Sequence, residues 1–190
     1  MMVTNSINPP SVPFMQTRPY DIIHGMKYDP HIHHRHSIRL QGYDYSRSGA
    51  YFVTIVSYRR ESIFGDLVKG EMALNKLGRA VEYAWFDLPD HYSNVRLDEY
   101  CIMPNHVHCI LVIDEEKLGE SHPLSEIIRG FKTLSAKRIN ILRQTPGVPV
   151  WQRNYFEHII RDEHEYTRIQ SYIAANPDNW LEDDENMDSR

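Results

Sequence analysis

Residues 103–113 read MPNHVHCILVI, a nearly unbroken apolar run that begins beside a proline. A short apolar run bounded by a turn residue and rich in β-branched side chains predicts a buried β-strand. Two histidines interrupt this run, His106 and His108, and their spacing of two puts both imidazoles on one face of the strand. They are either ordinary core histidines or paired metal ligands, since neutral imidazole is the commonest protein ligand for metals.

The segments around this strand predict the element order β-α-β-β-α-β, followed by one more helix. This order is typical of a ferredoxin-like α+β fold, in which two helices cover one face of an antiparallel four-stranded sheet. We therefore expect the other face of the sheet to be free, with an additional C-terminal helix beside the domain. Strands are predicted at residues 49–58, 94–103, 106–113 and 150–161, and helices at residues 73–88, from residue 124 onward, and at 163–175.

The 190 residues suit one domain with extra arms. Residues 1–36, rich in proline and containing the cluster HIHHRH, predict a loosely ordered N-terminal arm. Residues 37–177 form the predicted domain. Residues 178–190 carry six acidic residues against one arginine, and we expect them to form a frayed acidic tail.

Composition excludes some classes of protein. Hydrophobic residues make up 41% of the chain, so wholesale disorder is not expected. No apolar run approaches the roughly 20 residues of a membrane span. Cys101 and Cys109 are expected to be thiols in a reducing compartment. The net charge of −5 matches that of the tail alone, so the rest of the chain sums to zero and does not exclude nucleic acid as a partner.

The segment YIAANP, residues 172–177, offers partners for the histidines. Tyr172 and Asn176 are four residues apart, which stacks them on one side of a helix. One interpretation is structural, in which these two side chains pack against the core and cap the helix. Alternatively, an amide oxygen completes a His, His, oxygen set for a divalent ion, and a tyrosine hydroxyl one turn away attacks a group bound there. Pro177 disfavours helical geometry at Asn176, so Asn176 is either the last helical residue or just beyond it.

Four blocks of sequence stand out along the chain: HHRHSIRLQGYDYSRSGAYFVTIV (33–56), YCIMPNHVHCILVI (100–113), WQRNYFEHIIRDEHEY (151–166) and YIAANP (172–177). Taken together, these blocks resemble the REP-associated tyrosine transposases, which belong to the single-tyrosine HUH (IS200-like) transposase family. The resemblance covers roughly residues 33–180. The combination is specific, whereas a histidine pair at this spacing is common by itself.

The resemblance implies that His106 and His108 bind the metal, that Asn176 helps to hold it, and that Tyr172 is the nucleophile. It implies the same ferredoxin-like fold, Mg²⁺ or Mn²⁺ as cofactor, and a cytoplasmic, nucleoid-associated location. The implied partner is a single-stranded DNA hairpin formed by a REP-like palindrome. The implied activity is metal-dependent nicking and strand transfer through a covalent 5′-phosphotyrosine. Monomer and homodimer are both compatible with the sequence.

Residues 124–172 hold eight basic and five acidic residues, an excess that fits a phosphate-facing surface. Two other functions are compatible with the same residues. One is a catalytically idle, domesticated protein that occupies hairpins without cutting them. The other is a metal hydrolase that uses water as its nucleophile on a small phosphoester. The residues predicted to contact phosphates are Arg129, Lys132, Lys137, Arg138, Arg153 and Arg161.

Overall fold

The strand predicted from MPNHVHCILVI forms at His106–Ile113 and is buried at every residue. The computed structural model describes residues 48–114, 122–183 and 185–186. The predicted N-terminal arm and its histidine cluster lie outside the described residues.

The described part of the chain contains six strands and four α-helices, with two short 3-10 helices at Tyr58–Arg60 and Trp180–Glu182. The strands are β1 (Gly49–Val56), β2 (Gly65–Val68), β3 (Glu71–Leu74), β4 (Val95–Ile102), β5 (His106–Ile113) and β6 (Phe156–Ile160). The helices are α1 (Lys76–Phe86), the single turn α2 (Leu88–His91), α3 (Leu124–Leu142) and α4 (Glu163–Ala174).

The main sheet has the order β4-β5-β1-β6, and every neighbouring pair in it is antiparallel. The strands β2 and β3 form a separate hairpin. The sequence-based prediction of an antiparallel four-stranded, ferredoxin-like α+β fold is thus confirmed. One helix lies in the connection from β1 to β4 and another in the connection from β5 to β6, as in the predicted β-α-β-β-α-β order.

Several element boundaries differ from those predicted, and the starts of α1 and of β6 differ most. Helix α1 begins after Asn75, whose side chain accepts hydrogen bonds from the backbone N–H groups of Leu77 and Gly78 and so caps the helix. The residues before this cap, predicted to be helical, lie in the β2–β3 hairpin instead. The fourth strand of the main sheet starts only at Phe156, because the segment before it forms only an isolated bridge between Trp151 and Ser57. In that segment the carbonyls of Gln152 and Asn154 accept hydrogen bonds from the Lys132 ammonium.

Alternate residues of the strands build two separate cores. Val107 and Leu111 of β5 face α1 and α3 in the larger core. Ile110 of β5 faces the other way and packs with Ile169 and Ile173 of α4. The expectation that the second face would be free is therefore wrong, because α4 presents an apolar stripe and covers part of it.

Both cysteines are free thiols, as predicted. Cys101 is the pairing partner of His108, and Cys109 is the partner of Tyr100, so the two thiols point to opposite faces of the sheet. None of the helices in the described ranges is long and apolar enough to cross a membrane.

Candidate metal and nucleophile site

The two histidines of β5 lie side by side on the face that α4 partly covers. Their ring centroids are 4.4 Å apart. His106 is 0% exposed and His108 is 4% exposed. Val107 between them points into the larger core on the other face. The strand alternation predicted from the sequence thus places both imidazoles in one buried cluster.

The orientation of His106 is fixed by its neighbour in sequence. The Asn105 amide nitrogen donates to the backbone carbonyls of Arg60 (3.1 Å) and Glu185 (2.6 Å). Its oxygen therefore faces the imidazole and accepts from His106 Nδ1 at 2.9 Å. This leaves Nε2 of His106 as the nitrogen with a free lone pair. That atom is buried and has no hydrogen-bond partner among the described residues.

His108 is oriented in the same manner from the neighbouring strand. Thr54 of β1 is its pairing partner, and the Thr54 hydroxyl lies 2.8 Å from His108 Nδ1. The ring of Phe52 stacks against His108 with centroids 5.4 Å apart. With Nδ1 engaged by Thr54, Nε2 is the ring nitrogen that faces the α4 side, where a ligand would bind.

Burial keeps both rings neutral at physiological pH. It lowers the pKa of His106 to about 3, an effect that the nearby Asn176 side chain partly opposes. Burial, with the neighbouring His106 as a smaller cause, also holds the pKa of His108 well below its usual range. Metal ligation requires neutral imidazole, so the site is already in its binding form.

Helix α4 brings a phenol to this cluster. The Tyr172 hydroxyl lies 3.4 Å from His108 Nε2. The tyrosine ring meets Phe52 edge-on, with centroids 6.0 Å apart. Ile169 and Ile173, on the same helix, anchor it to the sheet. The structure therefore places the predicted nucleophile beside the predicted ligand pair.

Asn176 lies two residues beyond the end of α4, one of the two placements expected from Pro177. It is 1% exposed, and its amide nitrogen donates to the Asp183 carboxylate at 3.0 Å. Its side-chain oxygen is buried and has no hydrogen-bond partner in the described part of the chain. A buried amide oxygen of this kind fits a metal ligand.

Sequence reasoning missed Asp183. One ligand nitrogen of each histidine and one Asp183 carboxylate oxygen lie within 4.8 Å of one another. The ring of Trp180 also lies against His106, with centroids 5.8 Å apart. Both residues were predicted to lie in a frayed tail, because a run of acidic residues is most often solvated. Nothing in their spacing points to the histidines.

The donors fit a divalent metal ion. Two imidazole nitrogens and a carboxylate oxygen lie within 4.8 Å of one another, and the Asn176 side chain contacts both His106 and Asp183. Such mixed nitrogen and oxygen sets bind Mg²⁺ or Mn²⁺. The unpaired lone pairs of His106 Nε2 and Asn176 Oδ1 support this assignment, because an unsatisfied buried polar atom is costly without a ligand.

The basic residues predicted to contact DNA are not gathered at this site. Helix α3, which carries four of them, packs on the opposite face of the sheet. On it, Arg138 forms an ion pair with Asp87 (2.8 Å) and lies over the Tyr83 ring. The Lys132 ammonium donates to carbonyls of the segment before β6. The other four predicted contacts are exposed: Arg129, Lys137, Arg153 and Arg161.

Comparisons with known proteins identify the family to which this chain belongs. An uncharacterised protein of Haemophilus influenzae is 40% identical over 175 residues, covering 83% of this chain and 96% of that protein. A second Haemophilus influenzae protein, provisionally assigned as a REP-associated tyrosine transposase, is 27% identical over 139 residues. The match covers 70% of this chain and 73% of that protein.

A REP-associated tyrosine transposase solved in complex with a REP hairpin shares the fold. Its TM-score is 0.55 at 20% sequence identity, over 76% of this chain and 74% of the other. The model of the family "Transposase IS200 like" matches residues 45–176, which include the histidine pair, the tyrosine and the asparagine. This chain is a member of the IS200-like transposase family.

Proposed function

We propose that this transposase nicks and rejoins single-stranded DNA at palindromic, REP-like hairpins, with Tyr172 as its covalent nucleophile. The observation that carries the proposal is the 3.4 Å distance between the Tyr172 hydroxyl and Nε2 of a buried, neutral histidine. A tyrosine that only packed against the sheet would not need its hydroxyl among metal-ligating atoms.

His106, His108 and Asn176 would hold the divalent ion through Nε2 atoms and an amide oxygen. Bound there, the ion supplies Lewis-acid chemistry, neutralising charge on a phosphodiester and orienting it. The protein's own residues do the rest. Asn105 and Thr54 fix the two imidazoles. The packing of α4 on the sheet fixes the phenol.

The proposed reaction balances without an external energy source. The Tyr172 oxygen forms a bond to phosphorus as the bond from phosphorus to the 3′ oxygen breaks. The phenol loses one proton and the departing 3′ oxygen gains one, giving a 5′-phosphotyrosine and a 3′-hydroxyl. Attack by a 3′-hydroxyl, from the same or another strand, reverses these changes and restores the phenol. The phosphodiester energy is kept in the covalent link throughout.

The proposed partner is a DNA hairpin. Support comes from the structural relative, which was solved with a REP hairpin bound. Arg129, Lys137, Arg153 and Arg161 are exposed and are proposed as phosphate contacts. Lys132 and Arg138 are weaker candidates, because both cations already have partners within the protein.

The test is adduct formation on a labelled palindromic single strand in the presence of Mn²⁺. The wild-type protein should give a band on a denaturing gel that contains both protein and DNA, and chelation with EDTA should remove it. Tyr172→Phe should lower its yield by about 10³-fold or more, because the nucleophilic oxygen is gone. Tyr166→Phe, a change of the same kind on the same helix, is the matched control and should keep the adduct.

Other outcomes contradict the proposal in distinct ways. Binding of the hairpin by the wild-type protein without any adduct supports an idle, hairpin-occupying protein. Turnover of a chromogenic phosphoester that persists in Tyr172→Phe supports a hydrolase with water as its nucleophile. An adduct that survives in Tyr172→Phe identifies a different nucleophile.

A further inference from the structure

We propose that Asp183 is a ligand of the same metal ion, supplied by the segment that follows the family match. The inference rests on the proposed function and adds a ligand to its site. The family model ends at residue 176, so nothing in that match assigns a role to a residue seven positions later. The carboxylate would complete a set of two imidazoles, one amide and one carboxylate.

The position of the carboxylate carries the inference. One of its oxygens lies within 4.8 Å of a ligand nitrogen on each histidine, and those two nitrogens also lie within 4.8 Å of each other. Its Oδ2 accepts from the Asn176 amide nitrogen at 3.0 Å, and its Oδ1 accepts from the backbone N–H of Glu185 at 2.7 Å. Each carboxylate oxygen can accept more than one bond, so these contacts are compatible with metal coordination. Asn176 thus orients Asp183 with its nitrogen while its oxygen stays available.

The segment that carries Asp183 contacts the residues that follow β1 and the connection that precedes β5, and it is also closed by a contact within itself. Glu185 forms an ion pair with Arg60 (2.9 Å), and the Glu185 carbonyl accepts from Asn105 at 2.6 Å. Asn186 is 2% exposed and donates to the Trp180 carbonyl at 2.9 Å. Asn105 therefore holds His106 through its oxygen and the segment through its nitrogen. This shared residue couples the position of Asp183 to that of the histidine ligand.

Asp183 would change the electrostatics of the site. Both histidines are neutral, and so is the asparagine, so without Asp183 the ligand set carries no charge. A carboxylate adds one negative charge and is a hard oxygen ligand, which divalent ions such as Mn²⁺ favour. Affinity for the ion in the absence of DNA should therefore depend strongly on Asp183.

The experiment measures Mn²⁺ binding by the full chain, purified metal-free and without DNA, from the EPR signal of free Mn²⁺. Asp183→Asn should raise the dissociation constant at least about tenfold, because the anionic ligand is lost. Asp178→Asn removes the same charge from an exposed position of the same segment and should stay within about twofold of wild type. His106→Ala should weaken binding at least as much as Asp183→Asn.

A ligand exchange separates coordination from a merely structural role. Asp183→Cys replaces a hard oxygen by a soft sulfur, so the ratio of Cd²⁺ affinity to Mn²⁺ affinity should rise by about 100-fold or more. A carboxylate that only holds the segment in place would leave this ratio unchanged, even if its replacement loosened the fold. An unchanged ratio would overturn the inference.

The controls also separate this inference from the proposed function. If Asp183→Asn matches Asp178→Asn while His106→Ala abolishes binding, Asp183 is not a ligand and the histidine site stands. If His106→Ala leaves Mn²⁺ binding unchanged, the metal site of the proposed function fails, and the inference fails with it.

Discussion

The two faces of the main sheet are built from alternate residues of the same strands, yet they bury different chemistry. On the face toward α1 and α3, Val53, Val107 and Leu111 are apolar and at most 1% exposed. On the face toward α4, Ile110 continues an apolar core, but His106 lies in a buried polar cluster at one end. A buried polar cluster is stable only where each atom finds a partner, so this end of the sheet is organised around hydrogen bonds and, we propose, a metal ion.

Adjacent substitutions on β5 test this division most strongly. His106→Ala should lower covalent adduct formation by about 10³-fold or more while hairpin affinity stays close to wild type, because binding rests mainly on phosphate contacts. Val107→Ala should leave the chemistry intact but lower the free energy of unfolding by about 2 kcal/mol, since it opens a cavity in the larger core. Adduct yield and urea unfolding measure the two effects. If His106→Ala instead lost hairpin affinity and stability together, His106 would be a core residue and not a ligand.

A substitution behind the ligands should have an intermediate effect. Thr54→Val keeps the shape of the side chain but removes the hydroxyl that contacts His108 Nδ1. The freed ring can rotate away, so we expect about 10–100-fold weaker Mn²⁺ binding. Thr133→Val, which removes an exposed hydroxyl from α3 on the opposite face, should leave Mn²⁺ affinity unchanged. Equal affinities for the two variants would mean that Thr54 does not orient the ligand.

The buried histidines also predict how stability depends on pH. In the unfolded chain, His106 takes up a proton near pH 6.5, whereas burial lowers its pKa in the folded protein to about 3. The unfolded state therefore binds more protons between these values, and stability falls as the pH drops through this window. Between pH 7 and pH 5 the contribution of His106 is about 2 kcal/mol. Urea unfolding in EDTA should show that His106→Gln loses less stability over this range than wild type. Parallel losses in the two proteins would show that His106 is not buried in its neutral form.

The smallest expected effect comes from comparing two lysines of α3, one that binds backbone carbonyls and one that lies on the surface. Lys132→Met removes hydrogen bonds to the carbonyls of Gln152 and Asn154 and should lower the free energy of unfolding by about 1–2 kcal/mol. Lys137→Met, on the exposed side of the same helix, should change it by less than about 0.5 kcal/mol. Hairpin affinity measured in parallel would decide which of the two lysines contacts phosphates. A reversed order of stabilities would show that the carbonyl contacts are dispensable.

Local patterns were enough to predict much of the fold. Strand β5 was predicted at its observed boundaries, because Pro104 precedes the apolar run and the polar segment from Asp114 follows it. The boundary of α1 was misplaced because Leu74 and Leu77 have helical spacing, while Asn75 between them caps the helix. The β2–β3 hairpin was missed for a separate reason. Its short strands carry too few residues to show a period of two.

The residues of the candidate site likewise divide into those that local patterns predicted and those that they did not. His106 and His108 could be paired from their spacing alone, since strand geometry leaves residues two apart on one face. Tyr172 and Asn176 could be paired from helical spacing, and the resemblance to a transposase family joined the two pairs. Neither Thr54 nor Asp183 could be placed, because their roles depend on which strands are neighbours and on where the chain runs after α4.

The sequence by itself determined the strand with its two histidines, the order of the four main-sheet strands and their crossover helices, and the family to which the chain belongs. These follow from local periodicity and from blocks of residues that are contiguous along the chain. Only the tertiary structure decided that α4 covers the second face, that Lys132 and Arg138 bind within the protein, and that Asp183 reaches the histidines. Those contacts join residues as far apart as Phe52 and Tyr172, which are 120 positions from each other. Their geometry depends on the packing of the whole domain, which no local pattern encodes.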